Sequence, residues 1–519
     1  MDLTPVLSGF AVVFEPQNLL YCLLGVTLGM LVGVLPGLGP AATIAILLPI
    51  TYGIEPAAAV ILLAGIFYGA QYGGTITSVL LRLPGEASTV VSALDGYQMA
   101  RKGRAGSALG IAAIGSFIGG TASIILLTLI APLVADFALQ FGPAEYTLLA
   151  LIGIFMVATL SSGSLVKSVA AAGVGLLLAT VGLDPMVGTP RFTFGSDQLA
   201  DGIDFVIVAM GLFGVGEILY NLEHRLRPQP AVLSFGRAIP TRLEWLQSRL
   251  AVLRGSVVGF VLGVLPGGGA TMSSLVAYAV EKRAAKDPSR FGKGAIEGVA
   301  GPESANNAAA TSSFIPLLTL GVPANATMAV LFGALLLQGI PPGPQLIVDH
   351  PDVFWGVVNS MYVGNIFLLL LSIPLIGVFV RLLRVRAAIL APLTVLITMV
   401  GVYSIRNNVF DMFLVVALGL LGYGMKKLGF EPGPFVLAFV LGELLESSFR
   451  RSMRLFEGDF TGFVQRPVSA SLVALLVLTV VVVPALRAIR GRQAAQVEHD
   501  VATPSPDGGL AVASTRSEE

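Results

Sequence analysis

GVLPGLGP, Gly33 to Pro40, interrupts an apolar stretch, and the chain repeats it as GVLPGGGA, Gly263 to Ala270. The match extends upstream, where Gly25, Gly29 and Gly33 correspond to Gly255, Gly259 and Gly263. A step of four residues puts each glycine triplet on one helix face, a smooth strip that another helix can approach closely. Pro-Gly then ends the helix, because proline lacks a donor and glycine accepts positive φ. Within a membrane such a break is tolerated only where protein or a watery cavity surrounds the freed backbone. A single Pro-Gly is compatible with a mere kink or the end of a span. A second copy in the same glycine register predicts a repeated functional element, with Pro36 and Pro266 marking a transporter's binding site.

Composition places these breaks in a bilayer. Of 519 residues, 55% are hydrophobic and only 12% charged, against about 25% charged in soluble domains. Apolar runs near 20 residues recur along the chain, which predicts an all-α, polytopic helical membrane protein. The basic and acidic residues balance, 31 of each, so net charge points to no partner and nucleic acid is not expected. The one cysteine, Cys22, lies in the first apolar segment and predicts a core residue. Residues 1–18 lack a basic n-region, so no signal peptide is expected.

Residues 1–18 also read as lying outside. A first membrane repeat follows over 19–221, with apolar segments near 19–36, 40–53, 57–81, 107–134, 145–160, 164–185 and 203–221. Residues 222–254 form an arginine-rich linker expected in the cytoplasm. Its end, TRLEWLQSRLAVLR, is compatible with a helix along the interface or an ordinary surface helix. The second repeat covers 255–487, with spans near 353–380, 387–404, 409–424, 434–448 and 469–487; residues 488–519 read as a disordered cytoplasmic tail.

Loops at equivalent places differ in charge. Residues 281–294 are strongly basic where 51–56 have no basic residue, and 101–104 are basic where 336–352 are not. By the positive-inside rule, equivalent loops fall on opposite sides, which predicts two inverted-topology repeats with broken or re-entrant helices at the midplane. FRRSMR, Phe449 to Arg454, conflicts with the span count, which puts it outside. Either 434–448 does not cross fully, or these arginines pair with Glu443 and Glu446.

Ser304, Asn306, Asn307, Thr311, Ser312 and Ser313 gather small polar side chains between Pro302 and Pro316. Such groups sometimes only hold helices together, by hydrogen bonds worth ~1 kcal/mol each; their density here favours a site. Thr75, Thr77 and Ser78 are the first-half analogue. A carboxylate substrate needs donors and positive potential, which half-helix N-termini supply. The segments after the two Pro-Gly pairs would begin such half-helices, with Thr43, Thr271 and Ser273 in their early turns. Arg82 and Lys167 are cationic candidates near spans, though either is compatible with snorkelling to an interface.

Other chemistry lacks a motif. The chain has no phosphate-binding loop, no H-E-x-x-H and no G-x-S-x-G; its three histidines, His224, His350 and His499, are scattered. No catalytic residue, metal site or cofactor is expected beyond a suspected coupling ion, sodium or proton.

Together GVLPGLGP, YGGTITSVLLRLPG, DGYQMARKGRAGSAL, PRFTFG, PESANNAAATSSFIPLLTLGVP and GALLLQGIPPGPQL resemble the large membrane subunit of the tripartite tricarboxylate transporters. The motifs spread over residues 20–465. Arg82 departs from the pattern, which usually has a neutral residue, commonly Asn, there. The resemblance implies a small four-span membrane subunit and a periplasmic solute-binding protein as partners. It also implies secondary uptake of citrate-like and other organic acids across a bacterial inner membrane, driven by a sodium or proton gradient. Carried over by motif, Gly37, Gly39, Thr75, Ser78, Gly267, Gly269, Ser304, Asn306 and Asn307 become site positions. An organic-anion channel and an assembly subunit without its own substrate site remain the alternatives.

Overall fold

The computed structural model describes residues 4–35, 39–82, 85–160, 164–223, 239–372, 374, 375, 378 and 387–482. The first half comprises α1 (Thr4–Phe14), α2 (Pro16–Val34), α3 (Pro40–Leu47), α4 (Pro56–Leu81), α5 (Ser92–Arg101), α6 (Ala105–Ala138), α7 (Pro143–Leu160), α8 (Leu165–Ala179) and α9 (Phe205–Glu223). The second comprises α10 (Arg242–Val264), α11 (Gly269–Ala284), α12 (Glu297–Ser312), α13 (Phe314–Leu320), α14 (Ala326–Leu337) and α15 (Pro351–Ser372). It continues with α16 (Ala387–Arg406), α17 (Val409–Lys427), α18 (Pro432–Leu455) and α19 (Pro467–Val477). Among the described residues the only sheet is an antiparallel ribbon of β1 (Gly182–Leu183) and β2 (Pro190–Arg191). Seven of the described helices are long and apolar enough to cross a membrane. The protein is an all-α, multi-pass membrane protein, as its hydropathy predicts.

Proline opens α2, α3, α4 and α18 at the first turn, where its missing N–H would have had no helical partner. Glu55 caps α4 by accepting from the N–H groups of Ala57 and Ala58. A reciprocal capping box between Thr241 and Glu244 starts α10.

The glycine strips act as their spacing predicts. A Cβ on Gly25, Gly29 or Gly33 of α2 would lie 2.4, 2.5 and 2.2 Å from the carbonyl oxygens of Leu62, Ile66 and Ala70 on α4. On α10, Gly255, Gly259 and Gly263 stand the same way against Gly301, Ala305 and Ala309 of α12, at 2.3, 2.2 and 2.4 Å. Only glycine permits such backbone approach. Beyond the breaks, the elements cross over between halves. Helix α3 packs on α14, while α11 packs on the 87–89 turn.

In three regions the structure adds to or corrects the expectation. Residues 4–14, read as part of an outer segment, form α1, which packs on α15 with Gly9 against Trp355 and Val6 O accepting from Asn359 Nδ2 at 2.6 Å. Thr241–Arg254 is no separate interfacial helix: α10 runs unbroken from Arg242 to Val264. Leu243, Leu246, Leu250, Leu253, Val257 and Val261 are exposed along one stripe, the face such a helix presents to lipid. Finally, Arg450 of FRRSMR is paired with Glu446, one of the two acids that one alternative named, and also with Asp184, at 3.3 and 2.7 Å. The Met186 N–H, with Arg450 and the Val187 N–H, holds the Asp184 carboxyl down to about 2. Pro36, Gly37, the 224–238 part of the linker, the 483–487 end of the last expected span and the 488–519 tail lie outside the described residues.

Candidate binding site

Helix α12 is buried from Gly298 to Ser312, although it carries an acid, two asparagines and several hydroxyls. A polar helix enclosed on every side must satisfy its groups internally, and its partners define the site. Glu303, fully buried, lies at the centre. The Thr75 hydroxyl of α4 stands 2.7 Å from its Oε2 and 3.2 Å from the Gln71 carbonyl, while Asn306 Nδ2 reaches the same Oε2 at 3.4 Å. Asn307 Nδ2, with two hydrogens to donate, lies within reach of three acceptors, the Glu303 carbonyl at 3.1 Å, Ser116 Oγ of α6 at 2.7 Å and Asn306 Oδ1.

The amide orientations follow from this chain. A backbone carbonyl only accepts, so Asn307 must present its nitrogen to it. Asn306 then presents its oxygen to Asn307, which turns the Asn306 amino group toward the carboxylate.

Thr75, Asn306 and Asn307 are thus brought together, though they come from opposite halves of the chain. The other candidates sit elsewhere. Ser304 bonds back to the carbonyls of Ala300 and Gly301, on the face that meets Gly255 of α10. Ser78 donates to Thr89 at 2.8 Å, and Ser88 donates to Gln71 at 2.6 Å, fastening residues 85–92 to α4. Ser274 of α11 donates to the Ser88 carbonyl at 2.7 Å, tying this turn to the second half. Thr311 is buried near the end of α12, whereas Thr271 is exposed.

At the first break, Gly39 precedes α3 and accepts from Thr43 Oγ1 at 3.1 Å. A Cβ on Gly39 would lie 3.9 Å from Glu86 Oε2. At the second break, Gly267 and Gly269 take positive φ, 78° and 51°, and the Gly267 N–H donates to the Ala324 carbonyl at 2.7 Å. Asn325 caps α14 beside it by accepting from the Met328 N–H at 3.0 Å. Arg82 ends α4 in the left-handed conformation, φ 57°, and is exposed. Gly321 ends α13 in that same conformation, φ 67°. The position therefore demands a backbone that Gly or Asn adopts more readily than Arg. Lys167 is committed to packing: its Nζ donates to the Leu428 carbonyl at 2.6 Å and lies over the Phe430 ring.

Reading the sequence for groups that attract an anion passed over two acids, Glu303 and Glu86, and the serines Ser116 and Ser92. The available signal was the acid in PESANNAA. An ionisable side chain at membrane depth is functional by default, whatever its sign.

The chain matches the family described as "Tripartite tricarboxylate transporter TctA family" over residues 19–437. It is 48% identical to an uncharacterized 52.8 kDa protein in the TAR-I ttuC' 3' region of Agrobacterium vitis, over 95% of this chain and 99% of that one. It is also 50% identical to an uncharacterized protein in the TAR-II ttuC' 3' region of the same organism, over 45% of this chain and 97% of the other. No solved structure matches it.

Proposed function

This chain belongs to the tripartite tricarboxylate transporter TctA family and is a membrane component of such a transporter; on that premise we propose that it is the permease for tricarboxylates or related organic acids. It works in a bacterial inner membrane with a small four-span membrane subunit and a periplasmic solute-binding protein, and a sodium or proton gradient drives uptake. The observation that carries this reading is the crossed meeting of the broken segments, α3 on α14 and α11 on the 87–89 turn. Each half thereby places the element after its Pro-Gly break against the segment that follows the other half's left-handed cap, Gly321 or Arg82. In two repeats of opposite sense, such an arrangement forms the seam about which access alternates.

The substrate's carboxylates would be held by free N–H groups and the positive dipole ends at the starts of α3 and α11, next to Gly37, Gly39, Gly267 and Gly269, with Thr43 and Thr271 in the following turns. Glu86 lies beside this first break, so a substrate carboxylate there requires that acid to be neutral or shielded by a cation.

The test is uptake by proteoliposomes holding the full chain with its small subunit and the purified binding protein. A panel of citrate, tricarballylate, malate and succinate is assayed under separate sodium and proton gradients. Accumulation above equilibrium that needs both a gradient and the binding protein is the expected result. Passive flux alone would favour a channel, and no flux above that of protein-free vesicles would favour an assembly subunit.

A further inference from the structure

We propose that Glu303 is the site at which the coupling proton binds, an inference that rests on the transporter reading above. Its carboxyl is fully buried, and its Oε1 makes no hydrogen bond. Ser92 Oγ of α5 approaches that carboxyl and stabilises its ionised form, though it stops short of hydrogen-bond geometry and has no other partner. A cavity of about 20 Å³, lined by Tyr72, Thr75 and Ser116 together with apolar residues such as Ile76 and Leu109, lies next to Thr75, room for one water. Thr75 both lines it and bonds to Glu303 Oε2, which puts the cavity one hydroxyl away from the carboxyl.

The charged and titratable groups that face α12 from the surrounding elements, Glu86 apart, have partners of their own. From α5, Asp95 accepts from Tyr278 of α11 and from the N–H groups of Gly294 and Ala295, at 2.9, 2.7 and 2.8 Å. Glu281 of α11, which packs on Gly301, is held by two bonds from Arg254 of α10, at 2.7 and 2.6 Å. Tyr72 of α4 donates to Asn365 at 2.8 Å. Glu86 precedes the 87–89 turn and faces Gly39. Helix α6 brings Ser116, and α13 brings no titratable side chain. Among the described residues, no basic group pairs with Glu303.

A buried carboxylate with no cation is expensive, so burial favours the protonated form. Donors directed at it, from Thr75 and Asn306, favour the ionised form. These opposing terms make a group that changes state when its surroundings open or close. The donor set also selects the ion. The amino group of Asn306 faces the carboxylate, and an N–H is no ligand for sodium, whereas a proton needs only the one free oxygen. The proton would add to Oε1 when the cavity opens to the outside and leave from Oε1 to the cytoplasm after the conformational change, with no other bond made or broken.

The experiment compares the parent with Glu303→Gln in these proteoliposomes, using whichever acid of the panel the parent accumulates best. In sodium-free buffer a pH gradient should drive accumulation by the parent. Glu303→Gln should lose at least ten-fold of that accumulation, and the counterflow exchange of the acid that remains should show no pH dependence between pH 6 and 8. Accumulation by Glu303→Gln equal to the parent's overturns the proposal, as does a parent driven by sodium and not by pH. Both results leave the transporter reading intact. A parent that accumulates no acid under either gradient overturns both.

Should Glu303→Gln not reach the membrane, Thr75→Val decides. Loss of one donor to the carboxylate raises its proton affinity, so the alkaline limb of the uptake profile should move up by about half to one pH unit. An unmoved limb overturns the proposal.

Discussion

The pair α2–α4 and the pair α10–α12 are built on one contact and carry different chemistry. In both, three glycines four residues apart meet three carbonyl oxygens four residues apart on the partner helix. Aligning the carbonyls sets Ala64 opposite Glu303, Phe67 opposite Asn306, Tyr68 opposite Asn307, and Arg82 opposite Gly321. Close backbone packing constrains only the small residues in the strip and leaves the partner's other faces free. One face of α12 could therefore acquire an acid and two amides while α4 stayed mostly apolar. At the left-handed cap the divergence runs the other way, with the less suitable residue in the first half.

The comparison breaks first at its shared part. Gly29→Leu and Gly259→Leu should each prevent assembly, because the new Cβ would lie 2.5 Å from the Ile66 carbonyl and 2.2 Å from that of Ala305. The backbone on the other side gives no room, so the expected loss is more than about 3 kcal/mol, read as near-absence of folded protein in membranes. Tolerance of one substitution and not the other would show that the two contacts are not equivalent.

A smaller effect tests the difference in chemistry. Asn306→Ala and Asn307→Ala should each lower uptake at least ten-fold at matched membrane abundance, since each strands a buried partner at ~1–3 kcal/mol. Tyr68→Phe, at the twin of Asn307, should change uptake less than two-fold, because its hydroxyl makes only long contacts, 3.5 Å to the Ser360 carbonyl and 4.0 Å to Cys22 Sγ. Equal loss in the twin would assign both halves the same role.

The smallest effect lies at the caps. Arg82→Gly should stabilise the protein by about 1 kcal/mol, and Gly321→Ala should destabilise it by more than that, since a Cβ there would also lie 2.6 Å from the Pro342 carbonyl oxygen, visible as opposite shifts of the thermal midpoint in detergent. Arg82→Asn keeps a residue that tolerates the left-handed backbone, so it isolates the side chain. A changed ranking among competing acids would make Arg82 a ligand, and an unchanged one would leave it an exposed cap.

By itself the sequence determined that this protein lies in a membrane as helices, where its helices pack most closely, and where they break. These are local properties. Backbone groups in a bilayer must be satisfied within the segment, a glycine every four residues stays on one face whatever it meets, and Pro-Gly ends a helix in any context. Thr75, Asn306 and Asn307 were legible as polar groups at membrane depth, but their convergence was not. Only the tertiary structure decided that α4 and α12, more than 200 residues apart, face each other across Glu303. It also set Ser116 of α6 at Asn307 and turned Ser304 toward α10, because the side a residue faces depends on which helix occupies that side. Arg82 shows the same limit. Its charge was plain in the chain, while the left-handed backbone that holds it follows from how α4 must end for residues 85–92 to fold back onto it.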